Sequence, residues 1–258
     1  MPEFAKQSFL LKPLSFLRCE VIGPCTLYLG DALDVLPHLR GQADLVFSDP
    51  PYRLTSGGNT PGAMGGKLAT ELYDNTGLLM DVVKWQEIGG PIYRALKSNG
   101  DCYIMCEDKN LFAAHGGFLG AGFKFHSLLT WDKITPSRTR YYMKDSEFTL
   151  YLWKGRARDI TNGGDKRIIR MARPKDAVHP TQKPVELMKI YIRNSSQPGD
   201  LVLDPFMGSA TTLVAAVQLG RRAIGIEKDP EHFEGACVRV RAAVVALQKL
   251  GVANVDIA

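Results

Sequence analysis

The chain has 258 residues, of which 45% are hydrophobic and 23% charged, as expected for a soluble globular protein with one large domain. No apolar run reaches the roughly 20 residues that a membrane-spanning helix needs, and Lys12 and Pro13 interrupt the apolar stretch near the amino terminus, so no secretory leader is expected. The five cysteines and five histidines are scattered without ligand spacing, which predicts a reduced, cytoplasmic protein with no metal site.

The net charge of +5 is distributed unevenly along the chain. Residues 133–175 contain twelve Lys or Arg and four acids, so this segment carries +8 and the rest of the chain −3. A local basic block on a mildly acidic protein predicts a surface that binds a polyanion. Tyr141, Tyr142 and Trp153 lie among these charges, which favours nucleic acid over a solvated loop without a partner.

Apolar runs bounded by turn residues alternate with longer helical patterns, which predicts an α/β fold with a doubly wound, mostly parallel sheet. In chain order we predict a strand at 26–29, a helix at 32–39, a strand at 43–48, a helix at 78–97, strands at 101–106, 123–131 and 148–153, a helix at 184–194, a strand at 201–203, a helix at 210–219, a strand at 223–226 and a helix at 230–247. Residues 1–258 are expected to form a single domain that carries 133–178 as a basic insertion.

Residues 53–77 are rich in glycine and have no hydrophobic pattern. A stretch of this length without structure of its own is usually a lid, a binding loop or a disordered connector.

The first chemically informative segment is Asp49-Pro50-Pro51-Tyr52, which directly follows a buried strand. Two successive prolines exclude both a helix and a sheet ladder, and Pro50 keeps Asp49 out of the helical region. The segment therefore presents a carboxylate, a backbone carbonyl and an aromatic ring at the carboxyl end of a strand. These groups suit a planar substrate whose amino group must be held; the alternative is a proline-rich turn with Asp49 as a cap.

A second informative segment runs from the strand at 201–203 through small residues into a helix, and the next strand ends with Gly225-Ile226-Glu227. Small residues allow a ligand to approach the backbone, and an acid nineteen residues after Gly208 is where a ribose-binding carboxylate belongs in a βαβ unit. The chain has no G-x-G-x-x-G here, and Asp204 would repel a pyrophosphate. A sulfonium and an α-amino group suit Asp204, so the segment favours S-adenosylmethionine with its ribose on Glu227.

Together these segments resemble the amino-methyltransferases of DNA, the N6-adenine and N4-cytosine family, over residues 25–245. The matching segments are Gly30-Asp31-Ala32, Asp49-Pro50-Pro51-Tyr52, His179-Pro180-Thr181-Gln182-Lys183-Pro184, Asp204-Pro205-Phe206-Met207-Gly208 and Gly225-Ile226-Glu227. Their order, with the catalytic segment before the cofactor turn, is similar to the β group, whose fold is a permuted version of the usual methyltransferase fold. In that group the target-recognition region lies between the two halves, where this chain has residues 133–178.

The resemblance implies a role for each matched residue. The catalytic residues are Asp49, Pro50, Pro51 and Tyr52: Asp49 and the Pro50 carbonyl accept the two N–H groups of an exocyclic amine, and Tyr52 stacks on a base that has left the duplex. S-adenosylmethionine is bound by Asp31, Ala32, Thr181, Gln182, Lys183, Asp204, Phe206, Gly208, Ser209 and Glu227. Double-stranded DNA is bound by Lys133, Arg138, Arg140, Lys144, Arg156 and Arg158. Residues 53–77 close over the flipped base as a lid, and the family favours a homodimer, while no particular restriction nuclease is indicated.

Two departures from the family pattern are present. Ala210 stands where the family's F-x-G-x-G turn has its last glycine, and since alanine tolerates helical geometry we expect cofactor binding to be retained. The stretch 154–178 is short for a recognition region, which favours a short or relaxed target sequence.

The target base and the activity have alternatives. An aspartate at position 49 is typical of the adenine-N6 enzymes of the family, whereas the N4-cytosine enzymes more often have serine there, so adenine is preferred and cytosine is the alternative. A catalytically silent DNA-binding protein with the same fold is a third interpretation, against which the intact Asp49, Tyr52 and Glu227 argue. RNA and protein-glutamine methyltransferases usually begin this segment with asparagine and place the cofactor turn first.

Overall fold

A computed structural model of the chain describes residues 15–51, 83–137, 141–174 and 182–249. Within these ranges the strands are β1 (Arg18–Ile22), β2 (Cys25–Leu29), β3 (Ala43–Ser48), β4 (Leu96–Cys106), β5 (Lys124–Ser137), β6 (Lys144–Trp153), β7 (Ile168–Arg170), β8 (Leu201–Asp204) and β9 (Arg222–Glu227). The α-helices are α1 (Ala32–Val35), α2 (Trp85–Ala95), α3 (Leu111–Gly120), α4 (Val185–Ser195), α5 (Thr211–Gln218) and α6 (Pro230–Lys249).

The strands form one sheet in the order β1-β2-β9-β8-β3-β4-β6-β5-β7. The five neighbours β2, β9, β8, β3 and β4 are all parallel to one another, whereas β6 runs antiparallel to both β4 and β5, and β1 runs antiparallel to β2. Chain order and sheet order differ, so helical crossovers connect the parallel strands. The predicted α/β fold with a mostly parallel sheet is confirmed.

Helices cover both faces of the sheet. One apolar cluster contains Leu187 and Tyr191 of α4, Leu213 of α5 and Phe233 of α6, and the other contains Val35 of α1, Ile88 of α2 and Phe118 of α3. Parallel strands need cover on both faces, which is why β3 and β8 are buried along their length. None of the helices within the described ranges combines the length and apolar character that crossing a membrane requires.

Three elements were not predicted from the sequence: β1, α3 and β7. The helix α3 contains Gly116, Gly117 and Gly120, which lower its helix propensity. Its apolar residues also do not form a single stripe along one face, so the sequence lacks the pattern of an amphipathic helix. The strand β7 has three residues, and β1 lies at an edge of the sheet, where exposure weakens the hydrophobic pattern. At α4 the structure places Pro184 at the cap, so the helix begins at Val185, one residue after the predicted start.

The structure differs from the prediction that 133–178 is an insertion on the domain. Its residues 144–153 are β6, which pairs with both β4 and β5 inside the main sheet. The segment is therefore built into the domain, and its basic residues are divided between the two ends of β6. The sequence predicted a strand at 148–153 within this segment, but not that it pairs with both β4 and β5.

The helices α2 and α3 approach each other closely through two glycines. A Cβ on Gly117 would lie 2.7 Å from the backbone carbon of Trp85, and a Cβ on Gly89 would lie 2.9 Å from the carbonyl oxygen of Gly117. These atoms belong to backbone, so they cannot move aside as a flexible side chain would. The adjacent Gly116 is exposed, and within the part of the chain that the structure describes a Cβ there would meet nothing within 4 Å.

This pair of neighbouring glycines yields a stability prediction. Gly117→Ala should destabilise the protein by about 1–3 kcal/mol, because the new methyl group overpacks the α2–α3 contact. The matched control Gly116→Ala should stabilise it by about 0.5–1 kcal/mol, because alanine restricts the unfolded chain and favours a helix. Urea denaturation followed by circular dichroism measures both, and equal effects of the two variants would contradict the close packing described above.

Candidate active site

Acidic residues stand at the carboxyl ends of five adjacent parallel strands. Asp31 follows β2, Glu227 ends β9, Asp204 ends β8, Asp49 follows β3 and Glu107 follows β4. Because neighbouring parallel strands end at the same edge of a sheet, these carboxyl groups form a row, which we call the acidic edge. Ligands of open α/β sheets bind at this edge, and an acidic one favours cations and hydrogen-bond donors.

Asp204 is the most deeply buried acid of the row. The Ser48 hydroxyl donates to its Oδ1 at 2.6 Å, and the Phe206 N–H donates to the same oxygen at 3.1 Å. Burial raises the pKa of Asp204 to about 6, although these hydrogen bonds oppose the rise. Burial makes the ionised form of Asp204 costly, so the positive charge of a ligand bound beside it would stabilise this carboxylate.

Glu227 is held by backbone donors on both sides. Its Oε2 accepts from the Gly208 N–H at 2.9 Å and its Oε1 from the Asp229 N–H at 2.8 Å. Burial raises the pKa of this carboxyl group, and the backbone donors lower it. The arrangement fixes the carboxylate of Glu227 beside the turn 204–210.

The turn between β8 and α5 has two residues in left-handed conformation. Gly208 has a φ of 47°, and Ala210 has φ 58° and ψ 33° at the cap of α5. Ala210 is thus not in helical geometry, contrary to the reason we gave for its tolerance. For a residue with a Cβ the left-handed conformation costs about 1–2 kcal/mol, which glycine would avoid.

The same turn packs tightly on one side and is open on the other. A Cβ on Gly225 would lie 2.3 Å from the sulfur of Met207, so any larger residue there would force the Met207 side chain to move. A Cβ on Gly208 would meet no atom of the described residues within 4 Å. Open space in front of Gly208, flanked by the carboxylates of Asp204 and Glu227, fits a ligand that carries both hydroxyl groups and positive charge.

Asp49 stands at the centre of a second group of charges. Its Oδ2 lies 2.6 Å from Nζ of Lys183, while its Oδ1 is buried and accepts no hydrogen bond from any residue that the structure describes. Lys183 also contacts Glu147 of β6, with 3.1 Å between Nζ and Oε2. Pro50 is buried and Pro51 half-buried, and the Pro51 carbonyl accepts from the N–H of Val83 at 3.1 Å.

The other predicted cofactor residues lie along the same edge. The Asp31 Oδ1 accepts from the Leu33 N–H at 2.8 Å at the start of α1, where Ala32 is buried. Gln182, Phe206 and Ser209 are half-buried, and the Ser209 carbonyl accepts from Arg239. The ammonium of Lys183, a residue predicted to bind the cofactor, contacts Asp49 and Glu147. Thr181, Tyr52 and the lid 53–77 lie outside the described residues.

The predicted DNA-binding residues do not share one surface. Lys133 is 4% exposed and its Nζ lies 3.3 Å from Oε1 of Glu147, so it is an internal ion-pair partner and not a surface phosphate ligand. Lys144 contacts Glu107 at the acidic edge. Arg138 and Arg140 lie outside the described residues.

Arg156 and Arg158 lie at the opposite ends of the strands, beside the amino ends of the parallel strands. Both follow the far end of β6, where the Arg156 N–H donates to Asn99 at 2.9 Å and Arg158 donates to the Ser195 carbonyl. Between Glu147 and Trp153 the strand β6 advances by about 20 Å. Two arginines that the prediction did not single out lie nearer the acidic edge: Arg170 at the end of β7, 3.4 Å from Asp132, and Arg173, whose charge acts on Lys133.

Sequence reasoning did not single out Glu147, Glu107 or Ser48 as site residues. Glu147 lies between Ser146 and Phe148 in a strand whose alternating pattern indicates only a face of a sheet. Its place at the acidic edge follows from the pairing of Cys106 with Phe148, which sequence alone does not specify. Ser48 precedes Asp49, and its contact with Asp204 follows from the adjacency of β3 and β8.

Comparison with known proteins places this geometry in a family. A family model described as DNA methylase matches residues 43–237. The chain is 30% identical over 234 residues to the type II methyltransferase M2.MboI of Moraxella bovis, covering 81% of this chain and 84% of that protein. It is 30% identical over 242 residues to the type II methyltransferase M2.DpnII of Streptococcus pneumoniae, covering 83% and 88%.

Solved structures agree with this assignment. The crystal structure of the M1.HpyAVI–SAM complex matches with a TM-score of 0.63 and 27% identity over 83% of this chain and 99% of that chain. The cytosine-N4-specific PvuII DNA methyltransferase matches with a TM-score of 0.68 over 91% of this chain and 95% of that chain, and at 16% identity it shows the shared fold alone. From the family match, these relatives and a site that fits its cofactor, the chain belongs to the N6/N4 DNA methylase family and uses S-adenosylmethionine.

Proposed function

We propose that the protein methylates the N6 amino group of adenine in double-stranded DNA. The observation that carries the proposal is the Asp49 carboxylate at the end of β3, with Oδ2 held by Lys183 and a buried Oδ1 to which no described residue donates. A buried acceptor without a donor is costly, and the N–H of a bound amine satisfies it. The carboxylate at this position, in place of serine, is the feature that favours adenine over cytosine.

The reaction requires the amine to be oriented, because its lone pair is delocalised into the ring. In our proposal Asp49 and the Pro50 carbonyl each accept one N–H, which draws the nitrogen toward tetrahedral geometry. When bound, S-adenosylmethionine would supply a methyl group whose bond to the positively charged sulfur breaks as the new N–C bond forms, so that a neutral thioether leaves and the methylated nitrogen then releases one N–H proton to water. Positioning provides much of the acceleration in such a direct transfer, and the flipped base leaves the duplex at a cost of a few kcal/mol.

The cofactor pocket in this proposal lies in front of the turn 204–210. Glu227, fixed by the Gly208 and Asp229 N–H groups, binds the ribose hydroxyls. Asp204 faces the positively charged part of the cofactor and compensates it. Asp31 contacts the adenosine end.

Product analysis tests the target base. The protein is incubated with S-adenosylmethionine labelled in its methyl group and with unmethylated DNA, which is then digested to nucleosides. We expect label in N6-methyladenine, and a loss of at least about 100-fold in rate for Asp49→Asn, because an amide oxygen accepts an N–H less strongly than a carboxylate and the amide cannot form the ion pair with Lys183. The exposed Asp159→Asn, at the opposite ends of the strands, is the control and should keep the parent rate.

The outcomes of this experiment are distinct. Label in N4-methylcytosine would show that the target base is cytosine, and the proposed mechanism of amine methylation would still apply. Incorporation that is unaffected by Asp49→Asn would reject the assignment of Asp49. A protein that binds DNA without transferring label would be the catalytically silent alternative.

Cofactor affinity should depend on pH through Asp204. A cationic ligand favours the ionised carboxylate, so below the pKa of about 6 binding must first release a proton. We expect the Kd for S-adenosylmethionine to be constant from pH 7.5 to about 6.5 and to rise toward tenfold per unit below pH 6. Calorimetric titration of the parent, Asp204→Asn and Asp159→Asn measures this: the first variant should bind weakly with little pH dependence, and the second should follow the parent. A parent Kd that is unchanged down to pH 5 would contradict this role of Asp204.

The position of the arginines predicts which of them contact phosphate. Replacing Arg170 and Arg173 together by glutamine should reduce the slope of log K against log salt for duplex DNA by about 0.9 for each phosphate that the variant no longer neutralises. The matched pair Arg156→Gln and Arg158→Gln, at the opposite ends of the strands, should leave the slope unchanged. Fluorescence anisotropy over a salt series measures both, and a reduced slope for the second pair alone would place the duplex at those opposite ends.

A further inference from the structure

A continuous row of four charged side chains leads from Asp49 into the protein. Lys183 lies between two acids, with its Nζ 2.6 Å from Asp49 Oδ2 and 3.1 Å from Glu147 Oε2. The other oxygen of Glu147 lies 3.3 Å from Nζ of Lys133. The exposed fractions of these side chains are 29% for Asp49, 11% for Lys183, 18% for Glu147 and 5% for Lys133. We call these four residues the charged row.

The signs of the charges alternate along the row. Removing ions from water is costly, and the cost is offset only when opposite charges meet in good geometry. Two acids and two lysines in alternation leave the row with no formal net charge. Hydrophobic residues of similar size would fill the same space without this cost, so stability alone gives no reason for the row.

We propose that Lys183 and Glu147 are positioning residues for methyl transfer: Lys183 holds Oδ2 of Asp49 so that Oδ1 faces the target amine, and Glu147 holds Lys183. The inference rests on the proposed role of Asp49 as the amine acceptor and is independent of whether the base is adenine or cytosine. It assigns Lys183 to the acid, whereas the family resemblance assigned it to the cofactor.

The scaffold around the row supports a positioning role, because three elements meet there. Asp49 follows β3, Glu147 belongs to β6, and Lys183 precedes Pro184 at the cap of α4. Two residues before Asp49, the ring of Phe47 stacks on Tyr191 of α4 with 5.6 Å between ring centroids. This contact fixes α4 against β3 and therefore fixes the start of α4, with Lys183, relative to Asp49.

The charged and titratable groups that face Asp49 give the lysine an electrostatic role as well. Burial raises the pKa of Asp49 and Glu147 raises it further, while Lys183 lowers it. Asp204 at the end of β8 and Cys106 at the end of β4 also interact with Asp49. An amine acceptor must be ionised, so the reaction needs Asp49 above its pKa. Lys183 favours the reactive form, and Glu147 acts on Asp49 in the opposite sense while it keeps Lys183 in place.

Because Lys183 lowers the pKa of Asp49 and Glu147 raises it, removing each of them should shift the acidic limb of the kcat profile in opposite directions. In Lys183→Gln the pKa of Asp49 rises, so the acidic limb of the profile should move to higher pH by about one to two units, with a loss of about 10- to 100-fold on that limb. In Glu147→Gln a negative neighbour is lost, and the limb should move to lower pH. Lys183→Arg keeps the charge and should restore the limb to near its parent position.

The assay uses the full chain with S-adenosylmethionine and duplex DNA, and initial rates are measured between pH 5 and pH 9. The Kd for S-adenosylmethionine is measured for each variant by calorimetry, and we expect it to stay within about twofold of the parent, because the loss is in Asp49 orientation and ionisation. Two surface ion pairs serve as controls. Lys84→Gln removes a lysine whose Nζ lies 2.9 Å from Oε1 of Glu87, and Glu186→Gln removes an acid whose Oε1 lies 2.6 Å from Nζ of Lys189. Both should follow the parent profile.

Loss of one buried charge can also unfold the protein, so the double variant Lys183→Gln, Glu147→Gln is included. It removes a cation and an anion together, and its acidic limb should lie between those of the single variants. Thermal melts of all variants identify those that are folded at the assay temperature.

The results separate this inference from the proposed function. If Asp49→Asn abolishes transfer while every folded row variant keeps the parent limb, the positioning role is rejected and the proposed function stands. If Lys183→Gln weakens cofactor binding tenfold or more without moving the limb, Lys183 is a cofactor ligand and the inference fails. If Asp49→Asn retains transfer, the assignment of Asp49 as the amine acceptor is rejected, and the positioning inference, which rests on that assignment, is rejected with it.

Discussion

The structure depends on the parallel arrangement of five neighbouring strands. Parallel strands end at one edge of a sheet, and in this chain each of the five is ended or followed by an acid. The acidic edge is therefore a consequence of topology: Asp31, Glu227, Asp204, Asp49 and Glu107 are distant in sequence and adjacent in space. Such a concentration of carboxylates repels phosphate groups and favours a sulfonium, an amino group and the hydroxyls of a ribose.

The acids of this edge are stabilised in different ways, and the differences match the roles that we propose for them. Glu227 has a backbone donor on each oxygen, which suits a rigid acceptor for neutral hydroxyl groups. Asp204 has a hydroxyl and an N–H donor on one oxygen and is buried, which suits an anion whose charge the ligand compensates. Asp49 has a lysine on one oxygen and no described donor on the other, which suits an acceptor for a substrate N–H.

Ala210 shows how a substitution in a recognised segment can be misjudged from sequence. We expected alanine to be tolerated in a helix, whereas the structure places it in the left-handed region immediately before α5. Its backbone geometry is imposed by the turn, which must lead from β8 around Gly208 into the helix, and its methyl group is fully buried in the core. Burial of that methyl group offsets part of the conformational cost.

The sequence by itself determined the fold class, the family and the identity of most residues at the acidic edge. These follow from local features: the apolar run that ends at Asp49-Pro50-Pro51, the small residues of the turn 204–210, and the strand that ends at Glu227. Each lies within a few residues, so hydrophobic pattern and backbone restriction suffice to recognise it.

Only the tertiary structure decided which charges face one another. Lys133 and Glu147 belong to a segment that is basic on average, where Lys133 was predicted to bind phosphate, and Lys183 follows this segment and was predicted to bind the cofactor. Strand pairing and the packing of α4 on β3 instead bring them together beside Asp49, and the length of β6 carries Arg156 and Arg158 to the opposite ends of the strands. The physical reason is that ion pairing depends on distances between side chains, which follow from strand order and register and not from the number of charges in a segment.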